Sequence, residues 1–213
     1  MRLTYWEKEH FINYDFIVIG SGITGLNAAI SLKEKAPESH IAVLERGILP
    51  SGASTKNAGF ACFGSLTEIL DDLENLSESD CLQLIQKRFN GLKKLRKRLG
   101  DKEIDYRPCG GYELIQEKEL EAMNHLDRIN GLLRPLFRRN VFEIRDQDID
   151  SFGFDKSAVK HLLFNSYEGA IDSGKMMRSL INLAKEKGID IINGAEVSGI
   201  EKTNKGVHIE VNG

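Results

Sequence analysis

The sequence has few cysteines and no long apolar run. Cys62, Cys81 and Cys109 are odd in number and show no CxxC spacing, and the five histidines show no metal-ligand spacing. These patterns argue against a disulfide framework and a metal site and favour reduced thiols. No stretch approaches the roughly 20 apolar residues that cross a bilayer, and residues 1–10 lack the apolar core of a signal peptide. We therefore predict a cytoplasmic protein with no metal and no integral membrane association.

The sequence also lacks a strong excess of either charge. Lys and Arg total 29 and Asp and Glu total 32, so the formal net charge is −3, which gives no general attraction to nucleic acid. The stretch 87–98 is rich in Lys and Arg, but Phe89, Leu92, Leu95 and Leu99 interleave with them at helical spacing. This pattern predicts the solvated face of an amphipathic helix, and we expect no nucleic-acid partner.

Near its start the chain has the pattern of a strand, a glycine-rich turn and a helix. Residues 15–19 are an apolar, β-branched run that predicts a fully buried strand. The run continues into Gly20-Ser21-Gly22-Ile23-Thr24-Gly25 and then into a small-residue helix over 26–35. A second buried strand over 41–44 ends at Glu45. Together these segments predict a right-handed βαβ unit.

The three glycines of this turn have the spacing of a dinucleotide-binding fingerprint. In such a turn Gly20 allows the tight bend, Gly22 lets the backbone approach a diphosphate and Gly25 lets the helix pack closely on the strand. Glu45 follows at the end of the second strand, where a carboxylate accepts hydrogen bonds from ribose hydroxyls. The alternative interpretation is a tight strand–helix turn followed by a solvated glutamate.

The rest of the chain predicts a mixed region and then a return to the first sheet. Residues 47–64 have the composition of a loop. Helical periodicity predicts two helices within 65–100, one over 118–137 and one over 174–187. Apolar runs and alternation predict strands over 112–116, 141–145, 158–164, 189–192, 197–203 and 207–211. We expect 189–192 to be a third parallel strand of the first sheet, and 197–203 and 207–211 to be antiparallel strands.

Three segments resemble one known family. Residues 52–59, Gly-Ala-Ser-Thr-Lys-Asn-Ala-Gly, are similar to the G-[AS]-S-x-[RK]-N-x-G loop of the D-amino-acid oxidase-like superfamily of FAD-dependent oxidoreductases, which includes glycine oxidase and sarcosine oxidase. Residues 168–177 resemble the G-x-[IVL]-[DN]-P-x-x-[LM] start of a helix in that family, with Ser173 in place of the usual proline. Residues 188–197 resemble the strand that follows.

The resemblance implies an α/β fold. A Rossmann-like FAD-binding domain of the glutathione-reductase type would consist of 1–75 and 155–213 and be incomplete at its C-terminal end. A partial α+β substrate domain, 76–154, would be inserted into it. The fingerprint, the loop and the resemblance together imply cofactor contacts from Gly20, Ser21, Gly22, Ile23, Thr24, Gly25, Glu45, Arg46, Ser54, Thr55, Lys56, Asn57, Ala58, Gly59 and Val197.

The resemblance also implies an activity. The expected reaction is oxidation of the C–N bond of an amino acid or small amine by hydride transfer to FAD, and the expected partner is that small molecule. No side chain is assigned a catalytic role, because in this family the flavin carries out the redox step without an obligatory side-chain base. Two alternatives are a 2-hydroxyacid or glycerol-3-phosphate-type dehydrogenase and a nucleotide-binding module without redox activity.

The last residues carry an expectation about length. Asn212-Gly213 is a hairpin-turn signal after the strand 207–211, and members of the family continue beyond this point. We therefore expect an N-terminal piece of a longer oxidoreductase, which alone binds FAD weakly or not at all and shows no turnover. An unpaired sheet edge and exposed apolar surface would favour self-association.

Overall fold

The computed structural model describes residues 4–7, 11–204 and 206–212. They divide into two compact units: unit 1 comprises Met1–Ala58 and Ser173–Gly213, and unit 2 comprises Gly59–Asp172. The α-helices are α1 Tyr5–Glu7, α2 Ile23–Lys35, α3 Leu66–Asn75, α4 Glu78–Leu99, α5 Leu126–Phe137 and α6 Ser173–Glu186. The strands are β1 Phe16–Ile19, β2 Ile41–Glu45, β3 Phe60–Ala61, β4 Gly111–Gln116, β5 Phe142–Ile144, β6 Val159–Asn165, β7 Gly169–Ala170, β8 Asp190–Asn193, β9 Val197–Thr203 and β10 Gly206–Val211. Two 3₁₀ helices cover Glu117–His125 and Asp146–Asp148.

Unit 1 is built on a parallel sheet with the strand order β1-β2-β8. All five residues of β2 are buried, as expected for a central strand whose two faces are covered. The helix α2 packs on β1, β2 and α6, and it buries Leu26, Ala29 and Ile30 at helical spacing. The predicted βαβ unit and the predicted third parallel strand are confirmed.

The strand β1 is less buried than the sequence predicts. Phe16 is 39% exposed and Ile19 is 52% exposed, so the expectation of a fully buried strand over 15–19 is wrong. Among the described residues β1 pairs with β2 alone and therefore forms an edge of the sheet. A uniformly apolar run does not distinguish an edge strand from a central one.

The strands β9 and β10 form the predicted antiparallel pair. Asn212 follows with φ +54°, the left-handed region, and its side chain holds the start of β9. Its Oδ1 accepts from the Glu196 N–H at 3.0 Å and its Nδ2 donates to Gly194 O at 3.0 Å. Gly213, the second residue of the predicted turn, lies outside the described residues, so that turn stays a prediction.

Unit 2 packs three helices against an antiparallel sheet with the order β4-β6-β5. The helices α3 and α4 lie within 65–100, where the apolar spacing predicts two helices. At the start of α3 the Ser65 hydroxyl accepts from the Glu68 N–H, and the Glu68 carboxylate accepts from the Ser65 N–H. Ser77 caps α4 by accepting from the Asp80 N–H at 3.2 Å. These caps end the loops before each helix and satisfy backbone donors that the helices leave free.

The basic stretch of α4 lies on an amphipathic helix, as predicted. Cys81 and Ile85 are buried, and Phe89 packs against the same core. On the outer side Arg88 pairs with Asp72 at 3.1 Å and Arg96 pairs with Asp101 at 2.7 Å. Acidic neighbours therefore offset part of the basic charge.

One predicted helix is two elements. The sequence predicts a single helix over 118–137, but Glu117–His125 is a 3₁₀ helix and α5 begins only at Leu126. Leu120, Met123 and Leu126 recur at intervals of three and pack on the core. An interval of three fits both helix types, and in a 3₁₀ helix it places the side chains in one row. Apolar spacing alone therefore could not separate them.

The boundaries of the compact units differ from the predicted domain boundaries. Residues 59–75 and 155–172 belong by their contacts to unit 2, whereas the sequence assigns them to the FAD-binding domain. The physical reason is long-range pairing. The segment 47–64 is predicted as loop throughout, but it contains β3, which pairs with β7. In the same unit β6 lies between β4 and β5. Which function each unit serves stays a proposal.

Glu168 is a half-buried carboxyl in unit 2. Gly110 and Gly111 leave no room for a β-carbon, because one at Gly110 would overlap the Phe164 ring and one at Gly111 would overlap the Glu168 carboxylate. Burial raises the pKa of Glu168 to about 7, and the charges of Glu68 and Glu113 add to the rise, while a hydrogen bond from the Phe63 backbone lowers it.

Cys62 and Cys109 are exposed free thiols, and Cys81 is a buried one. Across residues 4–7, 11–204 and 206–212, no helix has the length and apolarity needed to span a bilayer. Within the same residues, no three His, Cys, Asp or Glu side chains converge as a metal site requires.

Candidate functional site

The glycine turn between β1 and α2 is fixed by backbone geometry. Gly20 has φ +93°, a conformation that residues with a β-carbon rarely adopt. A β-carbon built at Gly25 would lie far inside 3.0 Å of Gly20 O, closer than real β-carbons approach any atom. The first and third glycines are therefore required by the turn itself.

The N terminus of α2 faces a second segment of unit 1. The Ile23 N–H donates to Ser54 Oγ at 2.9 Å, and a β-carbon at Gly22 would lie 3.0 Å from the same oxygen. The first helical hydrogen bond of α2 runs from the Leu26 N–H to Gly22 O at 3.0 Å. Thr24 and Gly25 therefore lie in the first helical turn, where N–H groups point toward an incoming anion. The arrangement suits a phosphate.

Glu45 lies at the end of β2 with 9% exposure. Its Oε2 accepts from the Ser21 N–H at 2.9 Å and from the Ser21 hydroxyl at 2.7 Å, while its Oε1 accepts from the Gly47 N–H at 2.9 Å. Burial raises the pKa of Glu45, but these hydrogen bonds and the nearby Arg46 charge lower it, and the net pKa lies below the ordinary value. The carboxylate is thus kept ionised and fixed in place. Three donors leave acceptor capacity on its two oxygens, so the ribose contact stays a prediction.

These elements surround a cavity of about 390 Å³. Six of the residues predicted from the sequence line it: Gly20, Gly22, Glu45, Arg46, Ser54 and Val197. Seven more line it that the sequence reasoning missed: Ile19, Leu44, Pro50, Ser51, Gly52, Ala195 and Glu196. The signal for 195–197 was available, because β2 and β8 are parallel and their carboxyl ends meet at one edge of the sheet.

The other predicted residues have different positions. Ser21 supports Glu45, and Thr55 and Asn57 hydrogen-bond within their own loop. Thr24, Lys56 and Ala58 are exposed and Ile23 and Gly25 are half-buried. Gly59 has φ +76° and is buried against the Ile171 backbone in unit 2. Their proposed contacts with a cofactor rest on the resemblance.

The parallel sheet, the glycine turn and the fixed acid define a dinucleotide-binding α/β protein. Residues 15–213 match the DAO family, described as FAD dependent oxidoreductase. The chain belongs to this family, whose cofactor is FAD, and the predicted resemblance, fold class and cofactor are confirmed.

Individual relatives cover different parts of the chain. It is 28% identical over 204 residues to L-2-hydroxyglutarate dehydrogenase of Salmonella houtenae, covering 92% of this chain and 43% of that protein. It is 30% identical over 115 residues to gamma-glutamylputrescine oxidoreductase of Escherichia coli (strain K12), covering 53% of this chain and 26% of that protein. The chain thus spans less than half the length of these relatives.

A solved structure shares the fold. Glycine oxidase from Geobacillus kaustophilus superposes with a TM-score of 0.69 at 19% identity, covering 93% of this chain and 51% of that one. At this identity the similarity concerns the fold alone.

Replacing Glu45 by Gln is expected to lower both the stability of unit 1 and its affinity for FAD. The amide turns one acceptor into a donor, so either Gly47 or Ser21 loses its partner in a buried place, at a cost of roughly 1–3 kcal/mol. Urea unfolding measures that loss, and titration calorimetry should show FAD affinity reduced about tenfold. Glu38→Gln, at an exposed position, is the control. Equal behaviour of the two variants would contradict the role given to Glu45.

Proposed function

We propose that this chain forms the part of an FAD-dependent oxidoreductase that holds the adenosine diphosphate portion of FAD. The observation that carries the proposal is the cavity of about 390 Å³ where the glycine turn, the start of α2 and Glu45 converge within unit 1. A turn that excludes β-carbons, a helix N terminus and a fixed carboxylate suit a diphosphate followed by a ribose.

Each group has a distinct part in binding. Gly20, Gly22 and the first turn of α2 would face the diphosphate, and Glu45 would accept from the ribose hydroxyls. Glu45 also repels a second phosphate on that ribose, because its pKa is lowered and it stays charged at neutral pH. The backbone near Val197 would border the adenine. FAD, when bound, supplies a ring that accepts a hydride.

For the substrate, we propose an amino acid or small amine whose C–N bond is oxidised. A hydride leaves the carbon, a proton leaves the attached nitrogen, and a C=N bond results. The match to gamma-glutamylputrescine oxidoreductase supports this class. A 2-hydroxy acid is the second candidate, since the match to L-2-hydroxyglutarate dehydrogenase extends over 92% of the chain.

Binding of FAD to the 213-residue chain tests the first proposal. Calorimetric titration is expected to give micromolar affinity for FAD and measurable affinity for ADP, which carries the portion that this site holds. A chain that binds neither would overturn the proposal. Nanomolar affinity together with substrate-dependent flavin reduction would instead contradict the expectation that this chain alone lacks turnover.

The substrate class is tested in the protein at its full natural length, loaded with FAD and kept without oxygen. Glycine, sarcosine, D-alanine and L-2-hydroxyglutarate are each added, and bleaching of the flavin absorption is followed. We expect bleaching by at least one amine. Bleaching by the hydroxy acid alone would establish the second candidate, and a flavin that none of them reduces would favour the non-catalytic alternative.

A further inference from the structure

The loop between Pro50 and Asn57 is held by its own side chains. The Thr55 hydroxyl lies 2.9 Å from Pro50 O and 3.1 Å from Gly52 O and donates between them, and the Thr55 N–H donates to Gly52 O at 3.2 Å. Thr55 therefore closes the first half of the loop into a tight turn.

Asn57 closes the second half. Its Nδ2 donates to Ser54 O at 2.9 Å and to Ala53 O at 3.2 Å. Hydrogen bonds therefore hold the backbone near Ser54 on both sides. Thr55 fixes the residues before it, and Asn57 bonds to the Ser54 carbonyl itself. Neither Thr55 nor Asn57 lines the cavity, whereas Ser54 does.

Ser54 makes the contact between this loop and the start of α2. Ser54 Oγ accepts from the Ile23 N–H at 2.9 Å, at the first position of α2. A hydroxyl that accepts one hydrogen bond still has its own proton to donate. Because Ser54 also borders the cavity, its hydroxyl can accept from the positive N-terminal end of α2 and donate to an anionic oxygen in the cavity.

A loop of this composition has no intrinsic reason to hold that position. Gly52 and Ala53 carry little side chain to pack, and each residue fixed in one backbone conformation loses conformational entropy. The side-chain hydrogen bonds fix the loop before any ligand arrives, and such preorganisation raises affinity without adding a contact.

We propose that Thr55 and Asn57 are positioning residues that act through Ser54, holding its hydroxyl between the α2 N terminus and the diphosphate. This proposal rests on the proposed function. It differs from the sequence-based interpretation, in which Thr55 and Asn57 themselves contact the cofactor.

The test compares FAD affinity in a cycle of variants of the 213-residue chain. Thr55→Val keeps the shape and removes the hydroxyl, and it should weaken FAD binding about tenfold. Ser54→Ala should give a similar loss. In the double variant, Thr55→Val should add less than twofold, because Thr55 acts only through the group that is already missing.

Three comparisons separate positioning from general damage. Thr55→Ser keeps a hydroxyl and should restore affinity to within twofold of the original. Adenosine, which has no phosphate, should bind the original chain and Thr55→Val equally. Thr203→Val removes a hydroxyl whose hydrogen bond to Gly206 O lies in the β9–β10 pair, and it should leave FAD affinity unchanged.

Each contrary outcome has a separate meaning. If Thr55→Val weakens FAD binding by the same factor with or without Ser54, Thr55 does not act through Ser54 and the positioning role is overturned. Original affinity in Thr55→Val overturns it as well while leaving the proposed function standing. An original chain that binds neither FAD nor ADP overturns both.

Discussion

Replacing Gly25 by Ala is expected to abolish measurable FAD binding and to destabilise unit 1 by roughly 3 kcal/mol, the upper part of the range for overpacking. The new β-carbon would overlap Gly20 O and would lie 3.4 Å from Val18 Cγ1. The oxygen belongs to the backbone of a residue with φ +93°, so it cannot turn aside as a flexible side chain would. The helix α2 must therefore move away from the glycine turn that precedes it.

The control for this prediction is the same substitution in another helix. Gly91 lies in α4, and a β-carbon built there meets nothing within 4 Å. Gly91→Ala should therefore stabilise the protein by roughly 0.5–1 kcal/mol, since alanine favours helix. Urea unfolding and FAD titration of both variants give the comparison. If Gly25→Ala behaved like Gly91→Ala, the close approach of α2 to Gly20 would be wrong.

Replacing Glu168 by Gln is expected to change how stability depends on pH. In the folded protein Glu168 has a pKa of about 7, so it keeps its proton until the pH approaches that value. A carboxyl with the ordinary pKa of 4.5 loses its proton at a lower pH. Between these two values the unfolded chain binds fewer protons than the folded chain, so stability falls as pH rises. Above pH 7 the accumulated loss is roughly 3 kcal/mol.

Glutamine has nearly the same shape as Glu168 and no proton to lose. The variant should therefore be more stable than the original by roughly 3 kcal/mol at pH 8 and nearly equal to it at pH 4. Urea unfolding at pH 4, 6 and 8 measures this difference. Glu121→Gln, at an exposed position, should follow the original at every pH. Parallel curves for the original and Glu168→Gln would mean that the Glu168 carboxyl is not held protonated.

The sequence predicts those parts of the fold that depend on residues close together in the chain. The glycine spacing, the buried run of β2 and the position of Glu45 suffice for the βαβ unit, because each has its own local pattern. Burial of β1 was not predictable, since Phe16 and Ile19 are as apolar as residues in a central strand. It depends on which strands pair, and pairing joins distant segments.

The same distinction applies to the candidate site. Gly20, Gly22 and Glu45 follow from a spacing that the chemistry of phosphate and ribose imposes. Glu196 follows from no such spacing, and its place at the cavity depends on the predicted parallel pairing of β2 with β8. The hydroxyl of Thr55 turns inward on Pro50 O rather than toward the cavity, and no pattern of residue types shows in which direction a side chain bonds.

The pairing of β3 with β7 also bears on how such a chain can change in evolution. Unit 2 begins at Gly59 and ends at Asp172, and the Ile171 N–H donates to Gly59 O at 2.9 Å. Its two ends therefore meet one strand spacing apart, the arrangement that allows whole domains to be inserted into loops. A genetic insertion, exchange or loss of 59–172 would leave the separation between its flanking residues almost unchanged. Unit 1 can thus keep its fold while unit 2 diverges.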